Sequence, residues 1–349
     1  MTKVAVVKPD HLGDLILSSP AIRAAQRHFG AICLFVSDRT RPLAKFLFPE
    51  IELRSINFPH LMRRNATASD MDSVARALGE FELILWLRND PFIGPFSRQL
   101  KVEQGFTSDN YFTHESANQK DMIRSYVENY SRTQLFSAVP IRWPAVIRKV
   151  GLCIGSGFPA NYWPNVFWLQ FALTLLKSGL ELVLIAGPDE TSAVSLLSRA
   201  LKGGFSRVVV GGADFRAFLD EIDDVDLVIA TDGGSAHLCS LQKPVLSIFG
   251  SSPWRRYAPF GRENVVLTRD LTCSPCCNFS MEEVNGCMTR ECIVGLEPEI
   301  VAHVLLGGAP RENRHLVVQR GTSHMAGTSF IQTAEIDVTR MQEWQRRTG

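Results

Sequence analysis

Short apolar runs alternate with longer segments of helical period along most of this chain. The runs at 4–7, 32–36, 82–87, 150–154, 181–186, 207–210, 227–230 and 245–249 have the length and composition of buried strands. Between them, segments near 13–28, 71–78, 120–130, 166–177, 189–201 and 215–222 read as helices. This alternation predicts an α/β protein, with parallel sheets wrapped by helices. Pro20 predicts a kink or restart in the first helix. The stretch 88–118 is polar and aromatic without a clear period, which predicts loop. Ile141-Arg142-Trp143-Pro144 interrupts the pattern before it restarts.

At 349 residues the chain is too long for one ordinary core and suits two. We expect an N-terminal domain over 1–145, a second over 146–310, and a polar, rather basic extension over 311–349 with a helical pattern near 337–347. Each half carries one informative turn. Lys8-Pro9-Asp10-His11-Leu12-Gly13-Asp14 follows the first strand, and Thr231-Asp232-Gly233-Gly234-Ser235-Ala236-His237 follows the run at 227–230. Both place carboxylate and glycine where a strand gives way to a helix. In parallel α/β sheets that turn faces the ligand crevice. Two such turns predict two nucleotide-binding-type domains facing each other across a cleft that would hold the site.

The formal net charge of +1 gives no electrostatic case for nucleic acid. No apolar run reaches the roughly 18–20 residues of a spanning helix, and the N-terminus lacks the pattern of a signal peptide. A cytoplasmic protein is expected, with peripheral contact at the inner face of the inner membrane as an option. Arg23, Arg27, Arg63 and Arg64 could form a basic rim, although scattered solvated charges explain them as well. Cys33, Cys153 and Cys239 sit singly in apolar surroundings and suit packing. Cys273, Cys276, Cys277, Cys287 and Cys292 cluster. Four of them (Cys273, Cys276, Cys287 and Cys292) could hold a structural zinc or iron, while their loose spacing and the absence of histidine argue for plain packing.

Taken together, these segments resemble glycosyltransferase family 9, the heptosyltransferases. Lys8 to Asp14 is similar to the family's basic residue and Gly-Asp turn, and 15–23 to its continuation. Gly155-Ser156-Gly157 with Trp163-Pro164 resembles the start of the second domain, and Ile185 to Glu190 its Gly-x-x-Glu turn. Thr231 to His237 resembles its Asp-x-Gly-x-x-His signature, followed by Lys243-Pro244-Val245 and Phe249-Gly250. The late cysteines and Pro298-Glu299-Ile300-Val301 complete a match over about 3–303. The resemblance implies a GT-B architecture of two Rossmann-like domains. It also implies inverting transfer of a sugar, typically a heptose, from a nucleotide-diphosphate donor without a catalytic metal or other cofactor. ADP-heptose would be the donor, and a lipid A-core glycan or another hydroxyl the acceptor.

Such a transfer needs a base for the acceptor proton and dipoles or cations for the leaving diphosphate. Asp14 fits the first need, after a Gly13 that permits a tight turn. Helix capping fits the same residue, and the resemblance favours catalysis. Asp10 is a second candidate base. Gly233 and Gly234 would let backbone approach a diphosphate at a helix start. The resemblance places Asp232 and His237 at the donor sugar and phosphates, with His237 joining Asp14 in catalysis. It puts Glu190 on the ribose, while Ser156 and Gly157 could donate to phosphate. Each has a plain structural alternative as loop, cap or core residue. Trp163, Trp168 and Trp254 could stack on a base or sugar, with core packing favoured for Trp168.

One departure stands out. The family commonly places a phosphate-contacting lysine two residues before its Trp-Pro, and here that position is Asn161. Lys8, Arg255 or Arg256 could supply the missing charge. Three other classes stay open: a sugar-nucleotide epimerase or hydrolase, a catalytically weak binding or assembly protein, and an NAD-dependent oxidoreductase. The last is disfavoured, because neither turn has the Gly-x-Gly-x-x-Gly form.

Overall fold

The computed structural model describes residues 3–57, 67–87, 102–103, 144, 146–259, 264–276, 287–306, 315–318 and 330–331. The helix expected at 120–130, most of the loop at 88–118, Arg63, Arg64, Cys277 and the helical pattern at 337–347 lie outside these residues. So do the side chains of Arg255 and Arg256. The chain divides into two compact units, one of residues 1–137 with 255–257 and one of residues 138–254 with 258–349.

The first unit is built on β1 (Val4–Val7), β2 (Ile32–Val36), β3 (Glu52–Ser55), β4 (Leu83–Trp86) and β5 (Val102–Glu103), in spatial order β3-β2-β1-β4-β5. Every neighbouring pair is parallel. Helices α1 (Leu12–Phe29), α2 (Arg41–Leu47) and α3 (Ala68–Leu78) supply connections. β1 and β2 are buried throughout, which accounts for their continuous apolar sequence. β3 lies at the edge and is polar, so no apolar run announced it. Its Arg54 guanidinium lies over the rings of Phe35 and Phe81, at 6.0 and 5.4 Å from their centroids.

α1 runs unbroken through Pro20. Proline has no N–H to give the carbonyl four residues back. The Ser19 hydroxyl donates to that carbonyl, Ile16 O, at 2.7 Å. The lost backbone bond is thus replaced locally, and the expected restart does not occur.

The second unit holds β6 (Lys149–Cys153), β7 (Glu181–Ala186), β8 (Phe205–Val210), β9 (Leu227–Thr231), β10 (Val245–Ile248), β11 (Val265–Arg269), β12 (His315–Val318) and β13 (Phe330–Ile331). Their order is β8-β7-β6-β9-β10-β11-β12-β13, parallel except for the β12–β13 pair. Among the described residues its helices are α4 (Asn165–Lys177), α5 (Thr191–Ala200), α6 (Phe215–Glu221), α7 (Gly234–Cys239), α9 (Glu291–Val294) and α10 (Pro298–Leu306), while the short α8 (Trp254–Tyr257) follows β10 in the chain and its residues 255–257 count with the first unit. β11 and α10 were not anticipated. Only the four-residue α8 lies between β10 and β11 among the described residues, so strand–helix alternation passes over β11. α10 is apolar on nearly all sides because nearly all of it is buried, and it shows no 3.6-residue stripe.

Trp163 and Trp168 anchor this core. Both are almost fully buried and meet edge to face with centroids 4.8 Å apart. The Trp163 indole N–H donates to Leu296 O at 2.8 Å. Neither ring is available for stacking on a ligand. At the N-terminal end of the strands, Lys149 pairs with Glu181 at 2.6 Å and Asp224 at 2.8 Å. There the Asp226 carboxylate accepts from the Arg148 and Lys149 backbone N–H groups. No helix among the described residues is long and apolar enough to cross a membrane.

Candidate functional site

In both sheets the chain reverses its direction of winding beside the first strand, between β1 and β4 and between β6 and β9. Beyond the carboxyl ends of such strands the connections part and leave a crevice. Both turns singled out from the sequence lie at these reversals.

In the first unit, Lys8 directly follows β1 and continues its ladder, its N–H donating to Phe35 O at 2.8 Å. Its side chain is 1% exposed and its ammonium lies 2.9 Å from the Asp10 carboxylate. A buried ammonium requires such a partner. Gly13 is buried in the first turn of α1. The N-cap is His11, which makes no side-chain cap bond, and Asp14 is the partly exposed acid of the first turn. Asp14 is therefore not the capping residue. It stands where the positive end of the helix dipole favours a carboxylate.

In the second unit, two loops are laced together at the ends of β6 and β9. Thr231 Oγ1 donates to Gly155 O at 3.1 Å, and Ser156 Oγ donates to Asp232 O at 2.7 Å. Ser156 Oγ also accepts from Phe158 N–H at 3.3 Å. At Gly233 an added Cβ would lie 3.2 Å from Ser156 Cα and 3.4 Å from Gly155 O. Glycine therefore permits the close approach of these loops. Gly157 is exposed, with open space where a Cβ would stand. Gly234 begins α7, a helix of six residues, and His237 is buried on it.

Asn161 joins the same constellation. It is 2% exposed, in the 3₁₀ turn Pro159–Asn161. Its amide nitrogen donates to Asp232 Oδ2 at 2.9 Å and Ser252 Oγ at 3.1 Å. Its amide oxygen accepts from Ser251 Oγ at 2.8 Å. Ser251 and Ser252 were missed by sequence reasoning. The signal available was two small polar residues just beyond a buried strand, after Phe249-Gly250.

Glu190 precedes α5 and makes no side-chain cap bond. Its carboxyl lies against the ends of β6 and β7. A Cβ on Gly155 would stand 2.6 Å from Glu190 Cδ, and one on Gly187 would stand 2.6 Å from Glu190 Oε2. Burial, the largest influence, holds its pKa above the ordinary glutamate value. A half-buried carboxyl with a raised pKa at a strand end is a frequent mark of a binding site.

Four of the five late cysteines fall among the described residues. Cys273 and Cys287 are exposed, Cys276 is partly exposed and Cys292 is buried. Burial pushes the Cys292 thiol up to about 12. Cys287 is held below the ordinary thiol value, chiefly by the Arg290 backbone N–H that it accepts at 3.4 Å. Among the described residues, no group of three or more His, Cys, Asp or Glu is arranged to hold a metal ion. The four-thiolate site considered from the sequence is not formed among them. The cysteine segment is tied to the site region instead. Ser274 Oγ donates to Gly250 O at 2.7 Å, and Arg290 Nη1 donates to Pro159 O at 3.2 Å.

Known proteins share both sequence and fold with this chain. Lipooligosaccharide heptosyltransferase 2 of Campylobacter jejuni is 24% identical over 319 residues, covering 86% of this chain and 96% of that protein. A glycosyl transferase family 9 structure from Veillonella parvula matches with a TM-score of 0.68 at 16% identity, over 88% of this chain and 96% of the other. The ADP-heptose lipopolysaccharide heptosyltransferase II of E. coli matches with a TM-score of 0.60 at 17% identity, over 88% and 98%. These structures share the GT-B form of two parallel α/β units, as expected from the sequence. The model of glycosyltransferase family 9 (heptosyltransferase) matches residues 101–288, over half of the chain, and the chain therefore belongs to that family of glycosyltransferases.

Proposed function

We propose that this enzyme moves a heptose from ADP-heptose to a hydroxyl of a lipopolysaccharide-type core glycan, with inversion at the anomeric carbon. The observation that carries the reading is the laced turn at the ends of β6 and β9. There Gly155, Ser156, Asn161, Asp232 and Gly233 converge beside the Glu190 carboxyl. A nucleoside diphosphate has the chemistry for such a place. Its ribose hydroxyls suit the Glu190 carboxylate, and its phosphates suit the backbone at Gly233 and Gly234 and the Ser156 and Gly157 loop. Asp232 and His237 would meet the sugar and phosphates. The relatives named above, a lipooligosaccharide heptosyltransferase and an ADP-heptose heptosyltransferase, support heptose and ADP as the transferred sugar and its carrier.

The N-terminal unit supplies the base in this proposal. Asp14 takes the acceptor hydroxyl proton as the oxygen bonds to the anomeric carbon. The bond from that carbon to the diphosphate oxygen breaks in the same displacement, and ADP leaves with the electron pair. The Lys8–Asp10 ion pair fixes the turn that carries Asp14. Members of this family need no cofactor in general. The acceptor proposed would bring the enzyme to a membrane surface as a peripheral protein.

The test is a screen of ADP-, GDP- and UDP-sugars with a heptose-deficient lipopolysaccharide core. The reading expects ADP-heptose to be consumed only when acceptor is present. The acceptor should gain one heptose in the opposite anomeric configuration. Equal ADP release without acceptor would mark a hydrolase, and inertness toward every donor would overturn the proposal.

A further inference from the structure

The Asn161 side chain answers a question the sequence leaves open, which is what this neutral amide does among the loops beyond β6 and β9. All of its polar atoms are engaged inside the protein. The nitrogen gives its two hydrogens to Asp232 Oδ2 and Ser252 Oγ, and the oxygen takes the Ser251 hydroxyl. At 2% exposure it offers nothing to a ligand. The chain of bonds has a direction. Ser251 fixes the amide's orientation, and the amide then fixes one carboxylate oxygen of Asp232 beyond β9. Asp232 itself remains partly exposed.

We propose that Asn161 is a positioning residue that acts through Asp232, holding its carboxylate for the donor, with Ser251 and Ser252 as the groups that orient Asn161. This rests on the donor-site reading above. A buried amide–carboxylate bond serves this purpose because a lone carboxylate rotates freely about its last torsion, whereas a hydrogen-bonded one does not. The bond is also charge-assisted, and hence stronger than one between neutral groups.

Asn161→Asp tests the idea with almost no change of shape. At low pH one proton shared by the introduced carboxyl and Asp232 restores the bond. As pH rises both carboxylates ionise and repel, as close carboxyl pairs do. The variant-to-wild-type ratio of kcat/KM for ADP-heptose is expected to fall about tenfold between pH 5.5 and 8, as the shared proton leaves a pair whose upper pKa burial and like charge together raise by about two to three units above the ordinary aspartate value. The titratable groups on neighbouring elements, His237 on α7, Glu190 before α5 and Arg290 before α9, are common to both proteins, so the ratio removes them.

Thermal unfolding of the same variant reads the bond directly. Its deficit in Tm relative to wild type should grow over the same interval. A flat Tm deficit means the bond does not exist and overturns the inference. A growing deficit with a flat kcat/KM ratio makes Asn161 merely structural, which also overturns it. Wild-type protein that neither binds ADP nor consumes ADP-heptose removes the function proposed above, and the inference with it. Ser251→Ala, which removes only the orienting hydroxyl, should lower kcat/KM less than Asn161→Asp does at pH 8. An equal or larger loss contradicts the proposed order of action.

Discussion

Glu190 shows how a single carboxyl trades stability for a site. Its pKa is raised by burial, so its contribution to stability is present below the ordinary glutamate value and is lost as pH rises through its own. Glu190→Gln is therefore expected to be more stable than wild type at neutral pH, with the gain vanishing toward about pH 4. Thermal unfolding across that range reads the difference. Gly155→Ala acts on the same carboxyl from the other side. Its Cβ would fall 2.6 Å from Glu190 Cδ, the far end of a flexible side chain, so the fold survives while the carboxyl moves. The ribose contact proposed for Glu190 predicts roughly tenfold weaker ADP binding by calorimetry in either Gly155→Ala or Glu190→Ala. The sequence made Glu190 and Asp232 visible because each stands at a glycine-marked turn, and Asn161 because the family resemblance expects a lysine two residues before Trp163-Pro164. It did not reveal Ser251 and Ser252, whose part in the site comes from bonds across 90 and 91 residues.

Among the elements, strands buried on both faces were the easiest to read, since β1, β2, β7 and β9 are continuous apolar runs. The polar edge strand β3 and the all-buried α10 were not legible, because periodicity reports a contrast between two faces and neither element has one. Pro20 misled for a different reason. The rescue of Ile16 O by the Ser19 hydroxyl is a side-chain event that pattern reading does not weigh. β6 carries a tight packing constraint. A Cβ on Gly151 would stand 2.7 Å from Ile185 Cδ1 and 3.2 Å from Val228 Cγ2, side chains of the two neighbouring strands. Gly151→Ala is expected to cost about 1–3 kcal/mol, the usual effect of overpacking a well-filled core. Urea unfolding would show a lower midpoint at an unchanged m-value. A neutral effect would mean that the strand has room the structure does not give it.

For the molecule as a whole, each unit repeats one plan. A parallel sheet winds outward in both directions from its first strand, and the turns at 8–14 and 231–237 lie where the winding reverses. The opposite ends of β6 and β7 are closed by ion pairs among Lys149, Glu181 and Asp224. The division of labour proposed here gives the donor to the second unit and the proton to the first. The most direct test is a paired measurement on Asp14→Asn, of kcat with ADP-heptose and core acceptor and of Kd for ADP. The account predicts that kcat falls by about 10²–10⁴, the share of a general base, while ADP affinity is unchanged. Wild-type turnover in Asp14→Asn, or loss of ADP binding together with turnover, would contradict it.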